Sequence, residues 1–321
     1  MANNKIISAT EDGIRLSRWV KRHYPKISTG EIHKMCRTGQ MRINSSRCKG
    51  DEVLRTGNAL RIPPFMDSLV VSGGRKPTTE NGTRFSLADL EKLRQRIIIN
   101  DNDFVAFDKP AGLAVQGGTG IKKSLDKMAA ALFPYDSILP VHRLDRETSG
   151  VIILAKNQRA AQNLSKQFQD KTARKEYLAL LNGAVSPRVG RLDNFIVRGR
   201  VLDEKEKSAE RPQRAITEYQ VLGELPNVLS WVRFMPLTGR THQLRLHAAF
   251  SLNAPIVGDS LYNKKEIGEQ FLESLLNTKY LFLFAHRLSF THPKTGKEIT
   301  ISASLPDFMA APAKFLEFKV E

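Results

Sequence analysis

Cysteine and long apolar stretches are both scarce in this 321-residue sequence. The two cysteines, Cys36 and Cys48, have no neighbouring cysteines or histidines at the spacing of a zinc site. A disulfide framework of the secreted kind is therefore not expected, and both thiols should be reduced. No apolar run approaches the roughly 20 residues that a membrane-spanning helix needs. Because the first residues also lack the apolar core of a secretory signal, we expect a cytoplasmic protein.

Acidic residues are few relative to basic ones. The chain has 33 Asp and Glu against 50 Lys and Arg, which gives a net charge of +17 at pH 7. A surface this positive attracts polyanions, of which nucleic acid is the commonest. The sequence contains no basic helix with a broad apolar face, so nothing indicates binding to a membrane surface. The hydrophobic content of 41% supports packed cores. We therefore expect a folded protein that binds nucleic acid and no membrane.

The first quarter of the chain carries more than half of this charge. Residues 1–76 hold 15 Lys and Arg against 6 Asp and Glu, a balance of +9. Ser28 and Glu31 form the capping-box pattern that starts a helix. The apolar spacing that follows turns Lys34 and Arg37 outward. This pattern predicts a small unit with a basic outer face.

Composition divides the chain into three parts. Two prolines end the basic unit, and a stretch rich in Ser, Gly and Thr follows, typical of a flexible linker. We expect a module over 12–64, a linker over 65–86 and a larger domain over 87–321. In the larger domain, strands dominate with helices between them, which favours an α+β fold over a doubly wound sheet. Its helices are predicted near 124–133, 157–170 and 264–276, and a mobile charged loop is predicted over 200–213.

The most informative segment is 142–150, HRLDRETSG, which directly precedes the apolar run 151–155. Such a run is typical of a strand buried on both faces. A charged loop that enters a core strand is where a rigid scaffold can present a reactive group. Extended geometry places Arg143 and Asp145 on one side and Leu144 on the other. An isolated Arg-x-Asp triplet is more often a surface ion pair, so the functional interpretation depends on the whole segment.

Three further segments carry reactive side chains. The residues Asp-Lys-Pro-Ala-Gly at 108–112 form a fixed turn with a charge pair. Tyr177 begins a strand, where its ring can pack in the core or stack on a base. The segment 238–247 is dense in hydrogen-bonding groups, and its Thr241 is placed to cap a helix that begins at His242.

The histidines of segment 238–247 do not predict a metal site. His242 and His247 are five residues apart, and that spacing does not place both on one helical face. Arg245 is the stronger candidate, because a fixed cation paired with Asp145 would keep that carboxylate ionised and oriented. No third ligand cluster stands out and no nucleotide-binding motif is convincing, so we expect neither a metal nor a cofactor.

In their order along the chain, these segments resemble the RluA-type pseudouridine synthase family. Residues 12–64 resemble the S4 RNA-binding module, a likeness carried by 39–44 and by Gly50-Asp51. The likeness covers roughly 12–64 and 97–305. It implies a catalytic domain with a mixed, mainly antiparallel sheet, preceded by a small αβ module, in the branch that acts on large-subunit ribosomal RNA. The implied reaction is isomerisation of uridine to pseudouridine.

The resemblance also implies roles for individual residues. Asp145 matches the family's essential aspartate, and Arg143 matches the arginine that fills the space left by the flipped-out nucleotide. Tyr177 matches the stacking tyrosine, and Arg245 matches the arginine paired with the catalytic carboxylate. The remaining residues expected to contact substrate are His142, Leu144, Thr148, Lys109, Arg240, His242, Gln243, Lys34, Arg37 and Arg42.

Two positions depart from the family pattern and leave local packing or substrate contacts open. Phe284 stands where the family often has histidine, and Gln213-Arg214 stands where Lys-Pro is common. Transfer RNA as substrate, or a non-catalytic RNA-binding role in ribosome assembly, are the alternative functions. We expect a monomer that acts on large-subunit ribosomal RNA or its assembly intermediates. The residues do not decide between attack by Asp145 at C1′ and abstraction of a sugar proton.

Overall fold

The structure is a computed structural model that describes most of the chain. The described residues are 3–8, 11–24, 27–68, 85–118, 121–134, 136–197, 199–202, 212–263, 276 and 279–318. Most of the expected linker, nearly all of the predicted helix over 264–276 and residues 203–211 of the predicted loop lie outside them. The loop is predicted over 200–213, but residues 200–202 and residue 213 belong to strands. No helix in the described part of the chain is long and apolar enough to cross a membrane.

The N-terminal unit is a four-stranded antiparallel sheet with helices packed on it. The sheet order is β1-β4-β2-β3. Its elements are β1 (Asn3–Ile6), α1 (Leu16–His23), α2 (Thr29–Arg37), β2 (Arg42–Ile43), β3 (Ser46–Arg47), β4 (Ala59–Ile62) and α3 (Phe65–Ser68). The predicted capping box is present at the start of α2. The buried residues of this unit form a hydrophobic core of their own. Lys34 and Arg37 are exposed on the outer face of α2, as predicted.

The larger domain is built on an eleven-stranded sheet. Its strands are β5 (Ile97–Asn100), β6 (Phe104–Lys109), β7 (Leu139–Pro140), β8 (Ser149–Ala155), β9 (Arg174–Asn182), β10 (Val189–Val197), β11 (Arg200–Leu202), β12 (Gln213–Leu225), β13 (Leu229–Pro236), β14 (Leu283–Thr291) and β15 (Glu298–Ser302). The order is β11-β10-β12-β13-β9-β14-β8-β6-β5, with β15 paired to β14 and β7 paired to β8. The pairing of β14 with β8 is parallel and the other pairings are antiparallel. The expected mixed, mainly antiparallel α+β architecture is therefore confirmed.

Helices cover this sheet at intervals along the chain. They are α4 (Leu87–Arg94), α5 (Leu125–Leu132), α6 (Gln158–Gln169), α7 (Gln243–Leu246), a π-helix (His247–Ser251) and α8 (Asp307–Phe315). Helices α5 and α6 confirm the predictions over 124–133 and 157–170. Asn157 starts α6 because its side chain accepts a hydrogen bond from the Ala160 N–H at 2.8 Å.

The sheet forks at β8, and the fork makes room for the segment that precedes this strand. β14 pairs only with the start of β8, through Phe284 with Ser149 and Ala285 with Gly150. The far end of β8 pairs instead with β7. Gly150 has a φ of +109°, and a Cβ there would collide with the backbone of Ala285. Only glycine allows β8 to approach β14 this closely.

The two departures from the family pattern have structural roles. Phe284 is fully buried in β14 and belongs to the main hydrophobic core. Arg214 lies in β12 and donates from Nε and Nη2 to the Asp193 carboxylate at 2.8 and 2.6 Å, an exposed pair across the β10–β12 ladder. Both positions therefore contribute to packing or pairing within the sheet.

Candidate active site

A cavity of about 560 Å³ lies beside the fork. Its wall combines the segment before β8, the start of β9, one side of α6 and the turn between β13 and α7. Segments far apart in the sequence therefore meet in one place. Of the residues predicted to form the site, those that line the cavity are His142, Arg143, Leu144, Asp145, Tyr177, Arg240, His242, Gln243 and Arg245.

Asp145 presents an unpaired carboxylate to this cavity. The residue is half-buried, and its backbone carbonyl accepts a hydrogen bond from the Thr148 N–H at 3.2 Å. Within the described ranges, no side chain or backbone group makes a hydrogen bond or ion pair with the carboxylate. Burial and the negative charge of Asp145 raise the pKa of Tyr177. Burial lowers the pKa of His242 and Asp145 partly offsets this, while Asp145 adds to the raised pKa of Arg245. The carboxylate is thus surrounded by donors and cations but remains available to a ligand.

Lys109 holds the loop that carries Asp145 through a hydrogen bond to the backbone of that loop. This side chain is fully buried, and its Nζ donates to the backbone carbonyls of Pro110, Leu113 and Arg146 at 3.1, 2.8 and 3.0 Å. The Gly112 N–H donates to the same Arg146 carbonyl at 2.9 Å. Burial lowers the pKa of Lys109 to about 7, against the opposing charges of nearby carboxylates.

The placement of Lys109 corrects the expectation that it contacts substrate. The three hydrogen bonds of its ammonium hold the protein's own backbone, and Lys109 does not line the cavity. Thr148 is likewise buried and does not line the cavity. The Asp-Lys-Pro-Ala-Gly turn therefore supports the loop, and sequence spacing alone could not distinguish support from substrate contact.

His142 forms part of the cavity's frame. Its Nε2 accepts a hydrogen bond from the Ile153 N–H at 3.1 Å, on the stretch of β8 that β14 no longer covers. Its ring stacks on Phe168 of α6, with centroids 4.3 Å apart and planes 20° apart. Burial, together with the charge of Lys175, lowers the pKa of His142 to about 3. The ring is therefore neutral at physiological pH and satisfies a strand N–H that would otherwise be unpaired.

Tyr177 lies opposite, on β9, and its ring faces the cavity. Burial and the charge of Asp145 raise its pKa above the usual range, so its hydroxyl remains protonated. In the described part of the chain this hydroxyl has no hydrogen-bond partner. Tyr177 therefore combines a stacking surface with a free donor beside the Asp145 carboxylate.

Arg245 makes its direct ion pair with Asp259, which corrects the expected pairing with Asp145. Its Nε and Nη2 donate to the two Asp259 oxygens at 2.7 and 2.6 Å, and its guanidinium lies over the Tyr262 ring at 5.1 Å. The two side chains are 4% and 0% exposed. Burial works against the charge, but the pair with Asp259 raises the pKa of Arg245, and Asp145 adds to this from a distance.

Asp259 is a site residue that sequence reasoning missed. One of its oxygens also accepts the N–H groups of Leu261 and Tyr262 at 2.9 and 3.1 Å, so it shapes a turn as well as holding Arg245. The only sequence signal was an acidic residue after a glycine, Gly258, which does not reveal the arginine as its partner. Arg245 is therefore a fixed cation in the cavity wall, and its Nε and Nη2 donors are already bound to Asp259.

Gln243 is also a structural residue, in contrast to the expected substrate contact. Its Oε1 accepts from the Thr238 hydroxyl and the Arg240 N–H at 2.7 and 3.0 Å. Its Nε2 donates to the Ile216 carbonyl and the Thr217 hydroxyl, both at 2.9 Å. An amide can donate two and accept two hydrogen bonds, so nothing remains for a substrate. The buried amide instead ties the turn before α7 to β12.

The opening of the cavity is lined by His242 and by two exposed arginines, Arg143 and Arg240. The predicted helix begins at Gln243 rather than at His242, and His242 is its N-cap residue, with a left-handed φ of 55°. The His242 Nδ1 hydrogen-bonds the Tyr262 hydroxyl at 2.9 Å. Arg143 and Arg240 are exposed, and Arg240 donates from Nε to the Arg214 carbonyl at 3.2 Å.

The three residues predicted in the N-terminal unit do not line the cavity. Lys34 and Arg37 are exposed on α2, whereas Arg42 donates to the backbone carbonyls of Gly39 and Ser45 at 3.3 and 3.2 Å. These residues form a separate basic surface.

Among the described residues, a group of potential metal ligands lies outside the cavity, where Asp101 and Asp103 of the β5–β6 turn meet His292, which follows β14. The His292 Nδ1 accepts the N–H groups of Lys294 and Thr295 at 3.0 and 3.2 Å. Its proton must therefore be on Nε2, which lies 3.3 Å from the Asp101 carboxylate. With both ring nitrogens engaged, this cluster is a hydrogen-bonded turn rather than a metal site.

Comparisons with known proteins agree with this architecture. The sequence model of the RNA pseudouridylate synthase family matches residues 103–250. The chain is 34% identical to Ribosomal large subunit pseudouridine synthase C of Rickettsia typhi, over 91% of this chain and 94% of that one. It is 32% identical to the protein of the same name from Haemophilus influenzae, over 95% and 92%. Among solved structures, Human RNA Pseudouridylate Synthase Domain Containing 4 superposes with a TM-score of 0.61 at 25% identity, covering 73% of this chain and 97% of that one.

Proposed function

The chain belongs to the RNA pseudouridylate synthase family, and we propose that it isomerises uridines of large-subunit ribosomal RNA, with Asp145 as the reacting carboxylate. The observation that carries the proposal is the Asp145 carboxylate, which has no partner among the described residues and lies in a cavity beside a protonated Tyr177 and a fixed Arg245. The names of the two relatives from Rickettsia typhi and Haemophilus influenzae support the substrate class.

The reaction rearranges bonds within one nucleotide. The N1–C1′ glycosidic bond breaks, the uracil turns, and a C5–C1′ bond forms, after which C5 loses its proton and N1 gains one. A carboxylate near C1′ can act as a nucleophile at that carbon or as a base toward a sugar proton. The detached uracil must stay in place, and a cavity of about 560 Å³ with a tyrosine wall suits this retention. No group donor or redox partner is needed to balance the reaction.

Access to the cavity requires the uridine to leave its stack in RNA, which costs a few kcal/mol. Tyr177 can offset part of this cost by stacking on the extruded uracil. Arg143 is exposed at the edge of the cavity, two residues before Asp145 in the sequence. It is therefore placed to occupy the space that the nucleotide leaves. Arg240 and His242 lie at the same opening and are proposed to contact the neighbouring backbone.

The N-terminal unit is proposed to be an S4-like RNA-binding module over 12–64. Its support is the fold of two helices on a small sheet, its separate core and the exposed Lys34 and Arg37. Contacts from such a face to phosphates would orient the RNA without reading its sequence. Arg42 holds the turn beside this face and leaves only part of its guanidinium for phosphate.

The test is pseudouridine formation by the purified full-length chain on large-subunit ribosomal RNA. We expect Asp145→Asn to abolish it, because an amide is neither a nucleophile nor a base of this strength. Asp307→Asn, at an exposed carboxylate in the first turn of α8, is the matched control and should remain active. Full activity of Asp145→Asn would refute the assignment of Asp145. Modification of transfer RNA but not ribosomal RNA would refute the substrate class.

A further inference from the structure

The cavity contains a second charged group that the proposed reaction does not yet use. Lys175 lies at the start of β9, two residues before Tyr177, and both side chains line the cavity because alternate residues of a strand share a face. Lys175 is half-buried. Across the described ranges its ammonium makes no hydrogen bond and no ion pair. Glu176, between the two, ion-pairs on the other face with Arg233 and Arg287.

Among the described residues, the fully buried side-chain polar atoms without a partner belong to Ser149, Arg233 and His247. The Lys175 ammonium therefore still reaches the solvent of the cavity, and a ligand that displaces this water must offer an acceptor, because burial of an unpaired charge is costly. Burial lowers the pKa of Lys175 to about 8, and no carboxylate counteracts this. Lys109 shows the alternative arrangement, in which three backbone carbonyls receive the ammonium. The missing acceptor of Lys175 is therefore expected to arrive with the ligand that fills the cavity.

The position of Lys175 relative to Asp145 indicates which part of the ligand it meets. Burial and the charge of Asp145 raise the pKa of Tyr177, so Tyr177 lies near that carboxylate, whereas burial lowers the pKa of Lys175. Lys175 and Tyr177 are two residues apart along β9, a span of about 7 Å. The charge of Lys175 adds to burial in lowering the pKa of His142, so Lys175 lies toward His142 on the cavity wall. With C1′ at Asp145 and the uracil against Tyr177, the far edge of the base extends toward Lys175.

On this basis we propose that Lys175 is a further catalytic residue, which donates a hydrogen bond to a carbonyl oxygen of the flipped uracil and stabilises its negative charge. The inference rests on the proposed function. When the N1–C1′ bond breaks, the electron pair remains on the uracil and is delocalised over its ring nitrogens and carbonyl oxygens. The charge disappears when C5 attacks C1′ and the ring proton moves from C5 to N1. Lys175 keeps its own proton throughout and acts through its charge.

A phosphate contact is the competing role for a lysine in an RNA enzyme, and kinetics separates the two. A phosphate keeps its charge from ground state to transition state, so removing a phosphate-binding lysine weakens binding and leaves the bond-breaking step unchanged. The uracil charge develops only as the glycosidic bond breaks. A residue that stabilises it therefore affects the rate of the chemical step.

The experiment measures single-turnover pseudouridine formation by the full-length chain with Lys175→Met, Lys175→Arg and the control Lys166→Met. Lys166 is exposed on α6 and does not line the cavity. Loss of one preorganised donor to a developing charge lowers rates by roughly 10²-fold. We expect a loss of this size for Lys175→Met with RNA affinity changed by less than about threefold, since only transition-state stabilisation is removed. Lys166→Met should match the wild type.

A pH profile at subsaturating RNA provides an independent readout. The wild-type rate should fall above about pH 8 as Lys175 loses its proton, whereas Lys175→Arg should be slower but should lack this fall, because arginine stays charged. Among the neighbours, His142 and His242 have lowered pKa values and Tyr177 a raised one. Lys109 titrates near pH 7 but is unchanged in Lys175→Arg. The other charged groups that line the cavity are Arg143, Asp145, Lys171, Arg240 and Arg245.

The outcomes are distinguishable. A wild-type protein that forms no pseudouridine refutes the proposed function, and the role of Lys175 with it. An active wild type with an equally active Lys175→Met, or with a loss confined to RNA affinity, refutes the role of Lys175 alone. Because methionine can replace the lysine stem without a buried charge, the variant is expected to fold, which a thermal melt checks. If it does not, the Lys175→Arg profile still decides, since an unchanged alkaline fall overturns the proposal.

Discussion

Replacing Asp259 by asparagine should destabilise the catalytic domain far more than the small change in side-chain size suggests. The substitution keeps the shape but removes the charge that receives both Arg245 donors, at 2.7 and 2.6 Å. Because the two side chains are 4% and 0% exposed, water cannot replace the lost partner. Removing one member of a buried pair typically costs about 3–5 kcal/mol. Asparagine retains one oxygen for the turn N–H groups, so we expect the lower end of that range.

The chain contains a matched control with nearly identical geometry. Arg214 and Asp193 form a bidentate pair at 2.8 and 2.6 Å, but their side chains are 59% and 33% exposed. Exposed pairs typically contribute about 0.2–1 kcal/mol. Asp193→Asn should therefore have a small effect on stability, and the difference between the two variants isolates burial from hydrogen-bond geometry.

The assay is urea unfolding followed by Trp231 fluorescence. Trp231 is buried in β13 of the catalytic domain, and Trp19→Phe removes the other tryptophan, which lies in the N-terminal unit. A lower midpoint with an unchanged slope shows a loss of stability. Pseudouridine formation should also fall, because Arg245 would no longer be held in its position in the cavity wall. An Asp259→Asn protein no less stable than Asp193→Asn would refute the reasoning.

Three further predictions concern other parts of the molecule. Lys109 has a pKa of about 7 in the folded protein against 10.5 in the unfolded chain. Between these pH values the unfolded state binds more protons, so the free energy of unfolding should rise with pH. Lys109→Met should reduce this rise, as measured by urea titrations at pH 7 to 10. Lys34→Ala with Arg37→Ala should lower the slope of log Kd against log salt by about 0.7–0.9 for each phosphate that is no longer neutralised. Gly150→Ala should lose about 3 kcal/mol of stability through its collision with Ala285 and its left-handed φ.

Each of these has its own control. An unchanged pH slope in Lys109→Met would show that other groups cause it. Lys294→Ala with Lys297→Ala, exposed residues near the β14–β15 turn, should leave the salt slope of RNA binding unaltered. Gly296→Ala, at a φ of +72° with open space around it, should lose only about 1 kcal/mol. A Gly150→Ala protein as stable as Gly296→Ala would contradict the close approach of β8 and β14.

Local features of the fold could be predicted because their causes are local. The run 151–155 is a buried strand because continuous apolar residues suit a sheet with two covered faces. α2 begins at its capping box, and α6 begins after Asn157, because a side chain there satisfies backbone N–H groups within three residues. The parallel pairing of β14 with β8 joins residues far apart in sequence, and no local pattern indicates it.

Candidate site residues were predicted less evenly. The segments that carry Asp145, Tyr177 and Arg245 do meet in one cavity. The direct partner of Arg245, however, is Asp259, and Gln243 is committed to the protein's own turn. Residue type and order along the chain indicate which segments carry polar chemistry, but the partner of each polar group depends on which backbone lies within about 3 Å.

The sequence by itself determined the basic surface, the start of the principal helices, the buried strand and the segments that bear the reactive side chains. These follow from charge, hydrophobic spacing and capping, each of which acts over a few residues. Only the tertiary structure decided that Lys109 supports the loop, that Asp145 remains unpaired among the described residues and that Lys175 faces the same cavity without a partner there. Burial and hydrogen bonding are set by elements that pack from distant parts of the chain, and they give identical side chains, such as these two lysines, different roles.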